Sequence, residues 1–199
     1  MPRFPRSATA ARADTTLGTG RLSLPTRIGF AYVAEGLPEL LAQHPGLQVD
    51  LSLSDRVLDL VAEGFNVGLR VAPSGVLPES ELVARTLVTG RMRLCVSPGW
   101  LKDNRAPTRV SDLATSPCIS FSPTLGPERE ATWPISDGEG AEEVRVSWPV
   151  RADSGLALSA AVLGGAGIGL LPGFLVRGFL ADGRLVELLP HARTRTYRV

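Results

Sequence analysis

Between Val49 and Val71 the hydrophobic pattern changes period and then changes back. Val49, Leu51 and Leu53 alternate with polar residues, the two-residue period of a strand, whereas Val57, Leu58, Val61 and Phe65 recur at helical spacing. The run Val67-Gly68-Leu69-Arg70-Val71 reads as a second strand. Ser54 or Asp55 can cap the intervening helix by accepting from its first free N–H groups, and Gly64 can close it in a left-handed conformation. Strands joined through a helix lie parallel with a right-handed crossover.

The same alternation runs along the chain. A strand is expected at 21–25 and a helix at 29–43, its apolar stripe being Phe30, Val33, Leu37, Leu40 and Leu41. Pro38 lies inside that pattern, so either the helix kinks there or a second segment opens near Leu37. Further strands are expected at 82–88, 91–97, 119–122, 168–172 and 185–189, and helices at 98–103, 110–114 and 173–181. Thr108 or Ser111 is placed to cap the second of these helices. Residues 73–80 read as a loop, and the polar stretch 124–141, with Trp133, forms a hairpin with 144–150. Ala152-Asp153-Ser154-Gly155 caps a helix to Leu163, Asp153 and Ser54 being N-cap candidates, and 164–167 turns into the next strand. Alternating strands and helices predict an α/β fold.

In a parallel sheet ligands collect at the carboxyl ends of strands, where helix N-termini present N–H groups. Thr26 and Arg27, then Ser54, Asp55 and Arg56, then Arg70, all fall at such ends and are expected to face one crevice. For Arg56 and Arg70, pairing with Asp55 or Asp59 is the competing explanation.

Composition narrows the classes. A chain of 199 residues supports a core without metal or disulfide staples, and a formal net charge of +1 gives no global field for nucleic acid or an anionic membrane. Lys102 is the single lysine among the basic residues. Cys95 and Cys118 sit in apolar strand-like runs and read as small buried hydrophobes, without the spacing of a zinc site. No apolar run approaches membrane-spanning length and no signal-like core is present, so the default compartment is the cytoplasm. The glycine run from Gly164 to Gly169 follows a helix and opens a strand, the reverse of a dinucleotide-binding loop. His44 and His191 have no nucleophile pattern nearby, and neither a catalytic motif nor a cofactor or metal site is predicted.

The ordered set Gly20-Arg21-Leu22-Ser23-Leu24, the run from Asp50 to Arg70, Leu82-Val83-Ala84-Arg85, Cys95-Val96-Ser97-Pro98-Gly99-Trp100-Leu101 and Gly164-Gly165-Ala166-Gly167-Ile168-Gly169-Leu170-Leu171-Pro172 resembles the effector-binding domain of LysR-type transcriptional regulators. The resemblance spans roughly 20–190. It implies two Rossmann-like lobes with a hinged cleft, of the periplasmic-binding-protein type II-like kind. Lobe I would comprise about 20–88 and 170–199 and lobe II about 91–167, with crossings near 88–91 and 167–171. Residues 1–19, rich in Pro, Arg and Ala, read as a disordered leader too short to hold the winged helix-turn-helix that the family carries. Family members also continue past Tyr197-Arg198-Val199 to a final helix on the first lobe, so apolar surface is expected there.

The resemblance implies a regulatory domain that senses a small anionic effector to control transcription, DNA being reached only through a domain absent from this chain. Beside Thr26, Arg27, Ser54, Asp55, Arg56 and Arg70, the second lobe would contribute Phe121, Ser122, Asp153, Ser154 and Gly155. Hydroxyls and helix N-termini bind oxyanions, and arginine adds a bidentate fork. A homodimer or higher homo-oligomer is expected, with 29–43 and 98–103 at its interface. The alternatives are a solute-binding protein of a transport system and, behind it, an enzyme on the same fold.

Overall fold

The computed structural model describes residues 18–73, 82–122, 126–127, 130–138 and 143–199. The expected leader up to residue 17 and the expected loop at 74–80 lie outside them, whereas Gly18 and Thr19 already belong to the first strand. Strand β1 (Gly18–Leu24) is the centre of a three-stranded sheet, flanked by β2 (Leu47–Leu53) and β3 (Val67–Gly68). Both neighbours run parallel to it, with Leu22 opposite Leu51 on one side and Val67 on the other.

The helix expected between β2 and β3 is only a turn. Asp59 closes it by accepting from the N–H groups of Val61 and Ala62 at 3.1 and 3.0 Å, and Gly64, at φ +69°, ends it. Helix nucleation is costly and short helices depend on burial of an apolar face. Here Val57 and Val61 are 77% and 62% exposed, so only Leu58 and Phe65 of the helical spacing are even half-buried.

Helix α1 covers 26–43 in three parts: an α-helical turn Thr26–Ile28, a wider π turn Gly29–Val33, and the α-helix Ala34–Gln43. It starts three residues before the expected helix, directly after extended Pro25. Pro38 neither breaks the helix nor restarts it. The wide turn ends immediately before Ala34, the residue whose carbonyl would have bonded an N–H at position 38. No residue of Ala34–Gln43 is buried, and Phe30 is 68% exposed.

The larger sheet is organised by the long strand β5 (Thr89–Val96), with β4 (Ala72–Pro73) introduced ahead of it in the chain. Ser97 then caps α2 (Pro98–Asp103), as its hydroxyl accepts from the N–H of Trp100. A 3-10 turn follows at Val110–Thr115, held by Asp112 rather than capped by Thr108 or Ser111. The Asp112 carboxylate accepts from the N–H groups of Thr108 and Arg109 and from the Thr108 hydroxyl. Next come β6 (Cys118–Phe121) and the hairpin β7 (Glu130–Ser136) with β8 (Glu143–Ser147), which places a strand inside the expected polar loop. Strand β9 (Val150–Ala152), helix α3 (Gly155–Leu163), strand β10 (Ile168–Pro172) and helix α4 (Gly173–Ala181) follow, with short strands β11 (Val186–Glu187), β12 (Arg193–Thr194) and β13 (Thr196–Arg198).

The sheet order is β4-β13-β5-β10-β6-β9, with β11 paired to β5. Strand β10 lies between β5 and β6, and Leu175, Val176 and Leu185 pack with Ile119, Leu158 and Val162. The chain therefore stays in the larger sheet at 168–172, and β13, which pairs with the start of β5 and with β4, brings Tyr197 and Val199 against Ile28 of α1. Residues 82–88 are not a strand: Leu82 and Val83 are exposed, and only Leu87 and Val88 bond to Val199.

Strand β5 buries both faces. Leu94 and Val96 enter a cluster with Trp100, Leu113, Trp133 and Ile168, while Cys95 enters the cluster of Ile119, Leu158 and Leu171. Cys95 and Cys118 are free and 0% exposed, and burial pushes both thiols up to about 12. Since the thiolate is the reactive species, neither is expected to react with a disulfide reagent near pH 8 in the folded protein, and both should react once it is unfolded. A stoichiometric thiol titration with and without denaturant checks this.

Candidate functional site

The site is built where β1, β2 and α3 bring three chain ends together. Leu24 ends β1, extended Pro25 follows, and Thr26 is the first helical residue of α1. The loop after β2 is pinned alongside by the Ser54 N–H, which donates to the Leu24 carbonyl at 2.8 Å. On the other side, Ser154 is the N-cap of α3, its hydroxyl accepting from the N–H of Ala157 at 3.4 Å. The cap is thus Ser154 and not Asp153.

Asp55 joins these ends. Its Oδ1 accepts from the N–H of Thr26 at 2.9 Å, and its Oδ2 accepts from the N–H of Gly155 at 3.0 Å. Each helix thereby gives one of its first free N–H groups to one carboxylate, the favourable end of the helix dipole for negative charge. The first turn of α1 also packs against α3. Thr26, Asp55 and Gly155 are therefore brought into direct contact, with Ser54 and Ser154 next to them in the chain.

The arginines behave differently from expectation. Arg70 pairs with neither Asp55 nor Asp59; its guanidinium donates to the carbonyls of Ser23 and Leu69 at 2.9 and 2.7 Å and to the Ser23 hydroxyl at 2.9 Å. Burial lowers its pKa from the usual guanidinium range, against an opposing attraction from Glu63. It is a brace at the end of β1. Arg56 is exposed, and among the described residues only its backbone N–H is engaged, donating to the Ser54 hydroxyl at 3.2 Å in a local turn. Arg27 lines a cavity of about 210 Å³ with Tyr32, Phe174 and Arg177, on the α4 side of α1. Phe121, 45% exposed, ends β6 beside Ala152, to whose carbonyl Ser122 donates at 3.0 Å, and Asp153 follows directly.

Sequence reasoning missed a second cavity of about 550 Å³ between α1, β5, α4 and β13. Arg91, Arg93, Arg177 and Glu187 line it with Phe174 and Tyr197. Glu187 holds Arg93 at 2.8 Å and Arg91 at 3.3 Å. The period of two along β5 puts both arginines on one face, a signal that was present in the sequence.

Residues 13–199 match the family model described as the LysR substrate binding domain. The chain belongs to that family. Among curated relatives, the HTH-type transcriptional regulator DmlR of Escherichia coli K12 is 31% identical over 173 residues, covering 86% of this chain and 55% of its own length. A transcriptional regulator of Haemophilus influenzae is 27% identical, covering 89% of this chain and 60% of itself. The LysR domain thus spans just over half the length of these relatives. Among solved structures, the full-length Vibrio cholerae virulence activator AphB matches with a TM-score of 0.74 at 24% identity, over 92% of this chain and 60% of that one. The CrgA regulatory domain of Neisseria meningitidis matches with a TM-score of 0.72 at 24% identity, covering 92% and 88%. These likenesses establish the α/β, periplasmic-binding-protein type II-like fold of LysR regulatory domains. Among the described residues no helix is long and apolar enough to cross a membrane.

Proposed function

We propose that this domain senses a small organic effector in the crevice between the N-termini of α1 and α3 and passes that signal to a DNA-binding domain outside this chain. The observation that carries the reading is the meeting of the Thr26 and Gly155 N–H groups on one carboxylate, because it measures the gap as the width of a carboxylate. Two lobes are assigned accordingly: about 20–88 with β13 as the first, and about 91–167 with the packed stretch 168–189 as the second. Strand β5 and its partner β13 form the hinge between them. Effector binding would bias the lobes or subunits, a coupling typically worth about 1–3 kcal/mol.

The protein is read as a non-enzymatic, cytoplasmic regulator acting without a cofactor. Homo-oligomerisation through α1 and α2 is part of the proposal, supported by the exposure of Phe30, Leu40 and Leu41 along the α1 stripe. That the curated relatives are transcriptional regulators takes weight from the transport alternative.

A thermal-shift screen of carboxylates, aromatic acids and amino acids tests the reading, since a ligand of the folded state raises the midpoint with concentration. Arg56→Ala is the accompanying variant. Its side chain is exposed and makes no hydrogen bond or ion pair among the described residues, so the variant's stability is expected to stay within about 0.5 kcal/mol of the parent. Affinity for an anionic hit is expected to fall about tenfold, the loss of about one charge-assisted hydrogen bond. An Arg56→Ala variant that binds every hit as well as the parent removes that arginine from the site.

A further inference from the structure

We propose that Asp55 is a built-in occupant of the effector crevice: its carboxylate clasps the two lobes through Thr26 and Gly155, and an anionic effector binds by displacing it. This rests on the reading of the crevice as the effector site. Two independent helix N-termini, on residues 29 and 100 positions away from Asp55 in sequence, each donate to a separate oxygen of the one side chain. That is how a free carboxylate would sit across two helix ends, here supplied by the chain itself. A Cβ at position 155 would meet Leu175 Cδ1 at 3.0 Å but stand 3.9 Å from Asp55 Oδ2, so the carboxylate itself is not crowded at that N–H. The backbone beside Asp55 is anchored through Ser54 to Leu24, so displacement needs only the side chain to swing out.

The consequence is specificity. An intramolecular carboxylate competes at an effective concentration in the millimolar range or above, so a simple monocarboxylate gains little by replacing it. A productive effector must add contacts to neighbouring groups such as Arg56 or Phe121 while its own carboxylate takes over the two N–H groups. Release of Asp55 also cuts a direct tie between the lobes, which makes displacement itself the conformational signal.

Acetate is the probe, titrated against chloride at matched ionic strength, with the amide resonances of residues 26 and 155 and the melting midpoint as readouts. In Asp55→Ala the two N–H groups are vacated, and acetate is expected to bind at least tenfold more tightly than to the parent and to raise the melting midpoint. The double variant Thr26→Pro/Asp55→Ala lacks one donor and should lose that gain. Proline is tolerated at a first helical position, and Pro25, at φ −60° and ψ 137°, already has the extended backbone that precedes a proline. Should Asp55→Ala fail to fold, Asp55→Asn serves, because its amide nitrogen cannot accept from the second N–H. Spin labels at Gln48 and Ser147 report the lobes: the distance distribution should broaden in the Asp55 variant and narrow again with acetate. An equal acetate response in parent and Asp55→Ala, or a response that survives Thr26→Pro, overturns the clasp. Because acetate replaces the side chain itself, the clasp is tested even if no metabolite binds, and that outcome would count against the effector reading alone.

Discussion

Replacing Gly167 with alanine is expected to destabilise the domain by about 2–6 kcal/mol, the sum of backbone strain and overpacking at about 1–3 kcal/mol each. Gly167 has φ +153°, and a Cβ built there would lie 2.4 Å from the carbonyl oxygen of Pro117. That carbonyl accepts from the N–H of Ile168 at 2.9 Å, where β10 joins β6. It cannot retreat without breaking the start of the parallel pair that carries the larger sheet. Gly165 offers the contrast, since its Cβ would meet only the Ser97 hydroxyl at 3.4 Å, although its φ of +84° still disfavours alanine. Urea unfolding of the two variants should rank Gly167→Ala well below Gly165→Ala. Equal midpoints would mean that the β10–β6 junction yields easily.

The second large effect is expected at Arg70. Its guanidinium satisfies the Ser23 carbonyl and the Ser23 hydroxyl, and the Ser23 side chain is 0% exposed. Arg70→Ala leaves a buried hydroxyl without its charged donor and is expected to cost about 2–4 kcal/mol, from hydrogen bonds to a charged group at about 1.5–3 kcal/mol each less relaxation. Arg70→Lys should recover only part of this, because an ammonium cannot fork to both atoms. The pattern distinguishes a brace from a ligand contact. Both variants should lower the melting midpoint with and without ligand, and the ligand-induced increment should persist in Arg70→Lys.

The contrast between Arg70 and Asp55 shows what a sequence can carry. Local patterns located the strands β1 and β2, the start of α3 and the capping by small polar residues, since each depends on neighbours within a few positions. The helix after Asp55 was misread because helical spacing at Val57 and Val61 says nothing of whether a partner exists to bury them. Arg70 was assigned to the crevice by its position at a strand end, yet its partner is Ser23, 47 residues away. Asp55 was recognised as an acceptor for helix N–H groups, but as a local cap. Its actual donors are set by the tertiary approach of α1 and α3, which no local period encodes. That β13, and not the stretch near β10, packs against α1 was hidden for a related reason, since a strand buried on both faces looks the same whichever strands flank it.

The central claim is that a ligand binds between the N-termini of α1 and α3. It is tested most directly by recording amide shifts across the domain while titrating the best anionic hit from the thermal screen. Thr26 and Gly155 are expected to move most and to saturate together, with Asp55 and Ser154 following. Shifts centred instead on Arg91, Arg177 and Tyr197 would place the ligand in the cavity beside β5 and contradict it.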